Sequence, residues 1–142
     1  MNKMVPFRII LHCSATKDSG TVSWGAIRRY HIDELKWTDI GYHFGIENIN
    51  DHLEILMGRM PDIVGSHVQG YNVGSIGVCV VGNYDTDILT SDHEEVLIKL
   101  LHWLMFFFRI PLKEIYGHRD FNNQKSCPGK NLYRFLKSFK GE

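Results

Sequence analysis

Residues 7–12 (FRIILH) form an apolar run rich in β-branched side chains, bounded by Pro6 and followed by polar positions through Gly20. This pattern predicts a buried strand leading into a polar loop. Ser23 stands where a helix cap belongs, and Ile27, Tyr30, His31 and Glu34 follow at helical spacing, predicting a helix to about Lys36. Residues 42–48 and 53–57 read as two strands joined by a hairpin turn at Asn50-Asp51-His52. The stretch 58–75 holds four glycines and a proline and is predicted to be an irregular surface loop. Residues 75–81 form a second fully apolar strand, and 82–89 are turn-like.

Ser91-Asp92-His93-Glu94 has the form of a capping box, with Ser91 as the cap and Glu94 reaching back to it. The helix it opens runs to about Phe107 and is stopped by Pro111. It is apolar nearly all round, which predicts a helix laid against a sheet and well covered. Residues 114–117 are a short strand candidate. In 131–140, Leu132, Phe135, Leu136 and Phe139 fall on one helical face. Strands and helices interleave, so the fold class is α/β: a single domain with a central mixed β-sheet and flanking helices.

Length and charge narrow the function. The 142 residues fit one domain, 1–142, expected to be a monomer that needs no disulfide to fold. Sixteen basic residues balance sixteen acidic ones, so no nucleic-acid partner is expected. The first eleven residues are too interrupted for a signal peptide, and the apolar stretch 96–110 is too short and too charged to span a bilayer. The chain is therefore expected to be cytoplasmic as synthesised, without membrane insertion. Eight histidines beside three cysteines turn attention from disulfides to metal or acid–base chemistry.

Three features can carry such chemistry: His12 at the end of the first strand, Gly117-His118-Arg119-Asp120, and Lys125-Ser126-Cys127-Pro128-Gly129. No short zinc-finger spacing exists. A catalytic zinc instead draws three ligands from separate elements and leaves a fourth position open. Cys13 neighbours His12 in a strand, so the two side chains point to opposite faces. Cys79 lies within an apolar run. Cys127 is in a loop, with Lys125 nearby to favour its thiolate. On spacing alone, the His12, His118 and Cys127 set is one arrangement among several that a histidine-rich chain offers.

Five blocks in order sharpen this reading: Leu11-His12-Cys13-Ser14-Ala15-Thr16, Gly41-Tyr42-His43-Phe44, Val64-Gly65-Ser66-His67 with Gly70-Tyr71-Asn72, Ser75-Ile76-Gly77-Val78, and Lys125 to Gly129. Across about 7–137 the chain resembles the zinc-dependent N-acetylmuramoyl-L-alanine amidases of the phage-lysozyme type, relatives of peptidoglycan recognition proteins. The resemblance implies a mixed sheet with flanking helices, and one zinc ion held by His12, His118 and Cys127. It implies Tyr42 as a catalytic tyrosine beside the nucleophilic water and Lys125 as the lysine near the developing oxyanion. The implied reaction is hydrolysis of the amide between N-acetylmuramic acid and L-alanine in peptidoglycan. The implied role is that of a phage or prophage lysis enzyme or an autolysin, acting on the cell wall after release and lacking a separate wall-binding module.

His67 and Asn72 are candidate substrate-binding residues of the groove, Asn72 with the alternative of holding its loop through the side-chain amide. Trp24 and Arg28 are candidates to flank the groove, with helix packing and a solvated arginine the favoured reading. His31, His43, His52, His93 and His102 are expected to be ordinary, with His43 facing away from the site. Two rival readings are a non-catalytic peptidoglycan-binding domain and a metal-free Cys–His hydrolase. Relatives that have lost activity typically lack the cysteine ligand, whereas Cys127 is present. The hydrolase leaves His12 without a task.

Overall fold

The apolar runs lie side by side in one five-stranded sheet of order β3-β2-β4-β1-β5. In the computed structural model, which describes residues 1–15 and 22–142, the strands are β1 (Arg8–Cys13), β2 (Phe44–Ile49), β3 (His52–Met57), β4 (Ser75–Val80) and β5 (Ile115–Gly117). β1 runs parallel to both β4 and β5, β2 runs parallel to β4, and β3 closes the edge antiparallel to β2. The sheet is mixed, as expected. Its central strands β1 and β4 are buried almost throughout, which is why their sequences read as continuous apolar runs rather than alternating ones.

The helices are α1 (Trp24–Arg29), α2 (Ser91–Phe108) and α3 (Lys130–Phe139). Side-chain alternation divides the sheet into two faces. Ile9, Leu11 and Cys13 of β1 and Ile76, Val78 and Val80 of β4 pack with Leu97, Leu100, Leu101 and Leu104 of α2 and Leu132, Phe135 and Leu136 of α3. The intervening residues face the other way. There Cys79 joins Trp24, Ile40 and Val81 in a smaller cluster, and Gly45 leaves room for the Trp24 ring, which an added Cβ would meet at 2.5 Å. His12 belongs to this second face.

Several local expectations are corrected. The helix capped by Ser23, whose Oγ accepts the Ala26 amide N–H, is regular only to Arg29 and continues as a π-helical turn over Tyr30–Glu34. Its buried residue is Trp24, and Tyr30 stays exposed. β2 begins at Phe44, so Tyr42 and His43 lie in the approach to the strand. The cap of α2 is Thr90, not Ser91: Thr90 is extended and its Oγ1 accepts the His93 N–H, drawing Ser91 into the first turn. The polar loop expected after β1 falls largely on residues 16–21, outside the described residues.

Two packing expectations also change. The segment between β3 and β4 is irregular as predicted but not superficial. Arg59 and Val68 are buried, and the Arg59 guanidinium donates to the carbonyls of Ile40 (2.9 Å) and Val64 (2.8 Å). α2 is less covered than its composition suggests. It packs on one sheet face, and nothing among the described residues lies over its outer side. Phe106 is 87% exposed, while Trp103 and Phe107 stack on each other with ring centres 5.1 Å apart. No helix among the described residues is long and apolar enough to cross a membrane.

This asymmetry sets an expected stability pattern. Leu101→Ala, at a fully buried position, lowers unfolding stability by about 2–5 kcal/mol. Phe106→Ser changes it by no more than about 0.5 kcal/mol. Urea unfolding of the two variants checks the contrast.

Candidate metal centre and groove

The register of the parallel strands assembles the centre. Leu11 of β1 is paired with Gly117 of β5, so the residues that follow, His12 and His118, emerge side by side with ring centres 4.7 Å apart. His118 opens a short 3₁₀ turn, His118–Asp120. Cys127 returns from the loop ahead of α3. The Arg119 N–H donates to the Cys127 carbonyl at 2.9 Å, and a cis Cys127–Pro128 peptide follows. The possible ligand atoms of His12, His118 and Cys127 lie within 4.8 Å of one another.

The donor set fits a zinc ion. Ligand bonds of about 2.0 Å to nitrogen and about 2.3 Å to sulfur at a tetrahedral angle require an N···S separation of about 3.5 Å. His12 Nδ1 lies 3.7 Å from Cys127 Sγ. Cys13 points into the core on the opposite face, as strand alternation requires, and its backbone N–H reaches the Cys127 sulfur at 3.4 Å.

The surroundings keep both imidazoles neutral, the form a metal binds. Burial, then the neighbouring His67, His118 and His43, holds His12 well below its ordinary value. Burial and the Lys125 charge lower His118. The Cys127 thiol is pushed up by its hydrogen bond with Cys13 and by burial. This differs from the thiolate-favouring effect expected of Lys125, whose charge bears on His118 instead. A thiolate at Cys127 therefore needs a compensating cation.

Tyr42 stands over the centre, its ring 5.2 Å from that of His12 and stacked on Trp24 at 6.2 Å. Burial, followed by Cys79, raises its phenol well above its ordinary value of 10, so it stays protonated. Three adjoining cavities form a groove past the metal group. One, of about 360 Å³, is bordered by Ala26, Ile27, Tyr30, His31 and Tyr42. The next, of about 450 Å³, shares His31 and Tyr42 and adds Trp37, Ser66, Gln69 and Asn72. The third shares Gln69 and adds His118, Phe121, Asn122 and Lys125.

The remaining expected residues fall as follows. His67 touches His12, with Nδ1 2.8 Å from His12 Nε2, while its own Nε2 lies 3.1 Å from the Ser75 carbonyl. His67 also lines the second cavity, with both ring nitrogens engaged within the protein. Asn72 borders the groove, and its Oδ1 accepts the N–H groups of His67 (2.8 Å) and Val68 (2.9 Å), so it holds the loop. Trp24 packs in the core as expected, whereas Arg28, expected to be solvated, pairs with Asp39 at 2.9 Å.

Two histidines taken as ordinary are not. His31 borders two of the cavities and accepts the Gly41 N–H at Nδ1. His43 is away from the metal group but fully buried behind His67, its Nε2 2.7 Å from the Ile63 carbonyl and its Nδ1 accepting the Gly77 N–H. No local spacing marks either one, because both depend on segments distant in the chain.

A family of known sequences described as N-acetylmuramoyl-L-alanine amidase matches residues 2–130. An endolysin of Enterobacteria phage K11 is 38% identical over 136 residues, covering 92% of this chain and 85% of that protein. Peptidoglycan-recognition protein SC2 of Drosophila melanogaster is 34% identical over 129 residues, covering 90% of this chain and 67% of that protein. Among solved structures, the endolysin N-acetylmuramoyl-L-alanine amidase LysCS from Clostridium intestinale superposes with a TM-score of 0.81 at 28% identity, over 97% of this chain and 85% of that one.

The buried histidines make the metal-free protein acid-sensitive. Burial lowers His43 from 6.5 to about 4 and His67 from 6.5 to about 3. Their folded values lie below the unfolded ones, so protonation favours the unfolded chain. The stability is fully present above pH 6.5 and is lost as pH falls toward 4 and then 3. His43 alone accounts for about 3 kcal/mol of that loss. Urea unfolding of metal-free protein between pH 7 and 4 is expected to show the decline, and His43→Gln to flatten it. An unfolding free energy independent of pH across that window contradicts the assignment.

Proposed function

The chain belongs to the N-acetylmuramoyl-L-alanine amidase family, and from that membership we propose a zinc-dependent hydrolase that cuts peptidoglycan between the lactyl group of N-acetylmuramic acid and L-alanine. Water adds to the amide carbonyl carbon and the C–N bond breaks. The products are a carboxylate on the muramyl side and a free amino group on the alanine of the stem peptide. The observation that carries the reading is the convergence of His12, His118 and Cys127, with His118 and Lys125 lining one cavity of the groove and Tyr42 another.

His12 through Nδ1, His118 and Cys127 would hold the ion. When bound, zinc supplies Lewis acidity, lowering the pKa of water toward about 7 and polarising the carbonyl. The protonated Tyr42 hydroxyl orients the attacking water or the scissile carbonyl through hydrogen bonds rather than acting as a base. The Lys125 ammonium, exposed at the groove edge, faces the negative charge that develops on the carbonyl oxygen. Asn72 keeps the groove wall in place and contacts the substrate from it. Residues 1–142 form one catalytic unit that works as a monomer on the cell wall after release, as an endolysin does. Cys127 favours catalysis over pure recognition, since a binding module has no need of a soft third ligand.

The deciding experiment is mass spectrometry of products from defined muropeptides, with zinc content measured on the same protein. Release of the intact stem peptide from muramic acid is expected. Full zinc occupancy without that release makes the protein a binding module. Hydrolysis by zinc-free protein removes the metal mechanism. Cys127→Ala is expected to lose both stoichiometric zinc and hydrolysis. Lys125→Ala keeps its zinc and loses about 10²–10³-fold in kcat.

A further inference from the structure

We propose that His67 is a positioning residue for the metal centre: it fixes His12 as the Nε2–H tautomer and so presents the bare Nδ1 to the metal. The inference rests on the metal-centre reading above and concerns a residue outside the ligand set.

The hydrogen bonds determine the proton positions in sequence. The Ser75 carbonyl can only accept, and it lies 3.1 Å from His67 Nε2, so that nitrogen carries the hydrogen. A neutral imidazole has one N–H, which leaves His67 Nδ1 as an acceptor. The atom facing it at 2.8 Å is His12 Nε2, which must therefore donate. His12 then has its lone pair at Nδ1, the nitrogen 3.7 Å from Cys127 Sγ. Without this acceptor, the 3.7 Å contact of His12 Nδ1 with Cys127 Sγ suits either tautomer, and the Nδ1–H form has no lone pair at that position. Partners of this kind set ligand orientation and basicity in metal sites generally.

A second observation shows that the ring is seated in a slot built for it. A Cβ on Gly77 would meet three atoms of the His67 ring at 2.8 Å, and one on Gly65 would meet its Cδ2 at 2.8 Å. Strand β4 and the loop around Gly65 approach the ring this closely because both positions are glycine. The support extends further back. Asn72 holds the His67 backbone N–H. His43, whose ring lies edge-on 5.6 Å away, accepts the N–H of Gly77 and holds the strand against which the ring lies. The His67 ring can neither rotate nor flip without breaking one of these contacts.

The test separates the acceptor from the packing. His67→Phe fills the slot without an acceptor, and His67→Gln restores one. Zinc affinity is measured by competition with a chromophoric chelator. Ring ¹⁵N–¹H spectra of the metal-free and zinc-loaded wild-type protein report which His12 nitrogen carries the proton. Expected are Nε2–H on His12 in the wild type, zinc binding about 10–100-fold weaker in His67→Phe, and recovery of most of that loss in His67→Gln. Wild-type affinity in His67→Phe, equal losses in both variants, or Nδ1–H on His12 overturns the proposal. If His67→Phe does not fold, the wild-type ring spectrum decides alone. A wild-type protein that binds no zinc refutes the metal-centre reading instead, and the metal-free spectrum still tests the tautomer.

Discussion

The parallel pairing of β1 with β5 is the constraint on which the site depends. A register that places Leu11 opposite Gly117 leaves His12 and His118 as adjacent residues beyond the last rung. Side-chain alternation then sends His12 to one face while Leu11 and Cys13 enter the core on the other. A shift of one residue in β1 would reverse both assignments, placing the histidine in the core and a leucine at the centre. The apolar contacts of α2 and α3 with the other face thus do more than stabilise the chain. They hold the register that makes the ligands converge.

The second feature is the depth of histidine around the centre. His43, His67 and His12 follow one another from the interior toward the metal group, with edge-on contacts of 5.6 and 4.9 Å. Burying imidazoles is tolerable because they are neutral and their polar atoms find partners in backbone carbonyls, backbone N–H groups and one another. The cost appears only when protons are added, which ties the metal-binding form and the folded form to the same pH range. A rigid, prepaired ligand also loses little freedom when a cation arrives.

The faces of the molecule divide these tasks. One carries the tightly packed core under α2, whose outer aromatic side remains open to solvent. The other carries polar loops that would be unstable alone. Arg59 binds the carbonyls of Asp39, Ile40 and Val64, Asn72 caps two amides, and these hydrogen bonds fix the groove walls beside the smaller apolar cluster around Trp24.

Much of this was legible in the sequence, for physical reasons. Strands β1 and β4 are buried on both faces, so their composition is nearly all apolar. The α3 stripe of Leu132, Phe135 and Leu136 is local periodicity. The ordered blocks around His12, Tyr42 and Cys127 carry the resemblance, which in turn implied His118 as the further ligand. What stayed hidden depends on contacts between distant segments. Nothing local says that His67 reaches His12, 55 positions away, or that His43 braces it from behind. Ser91 and Thr90 are equally good caps by type, and only the backbone at Thr90 decided between them. The uniform apolarity of α2 does not disclose which side meets the sheet. Sequence pattern determined most elements and the fold class, because those follow from local spacing, and the family resemblance singled out the candidate ligands among several sets that residue chemistry allowed. The tertiary structure decided which nitrogen of His12 faces Cys127 and which meets His67, because a hydrogen bond across the fold exists only once the strands are in register.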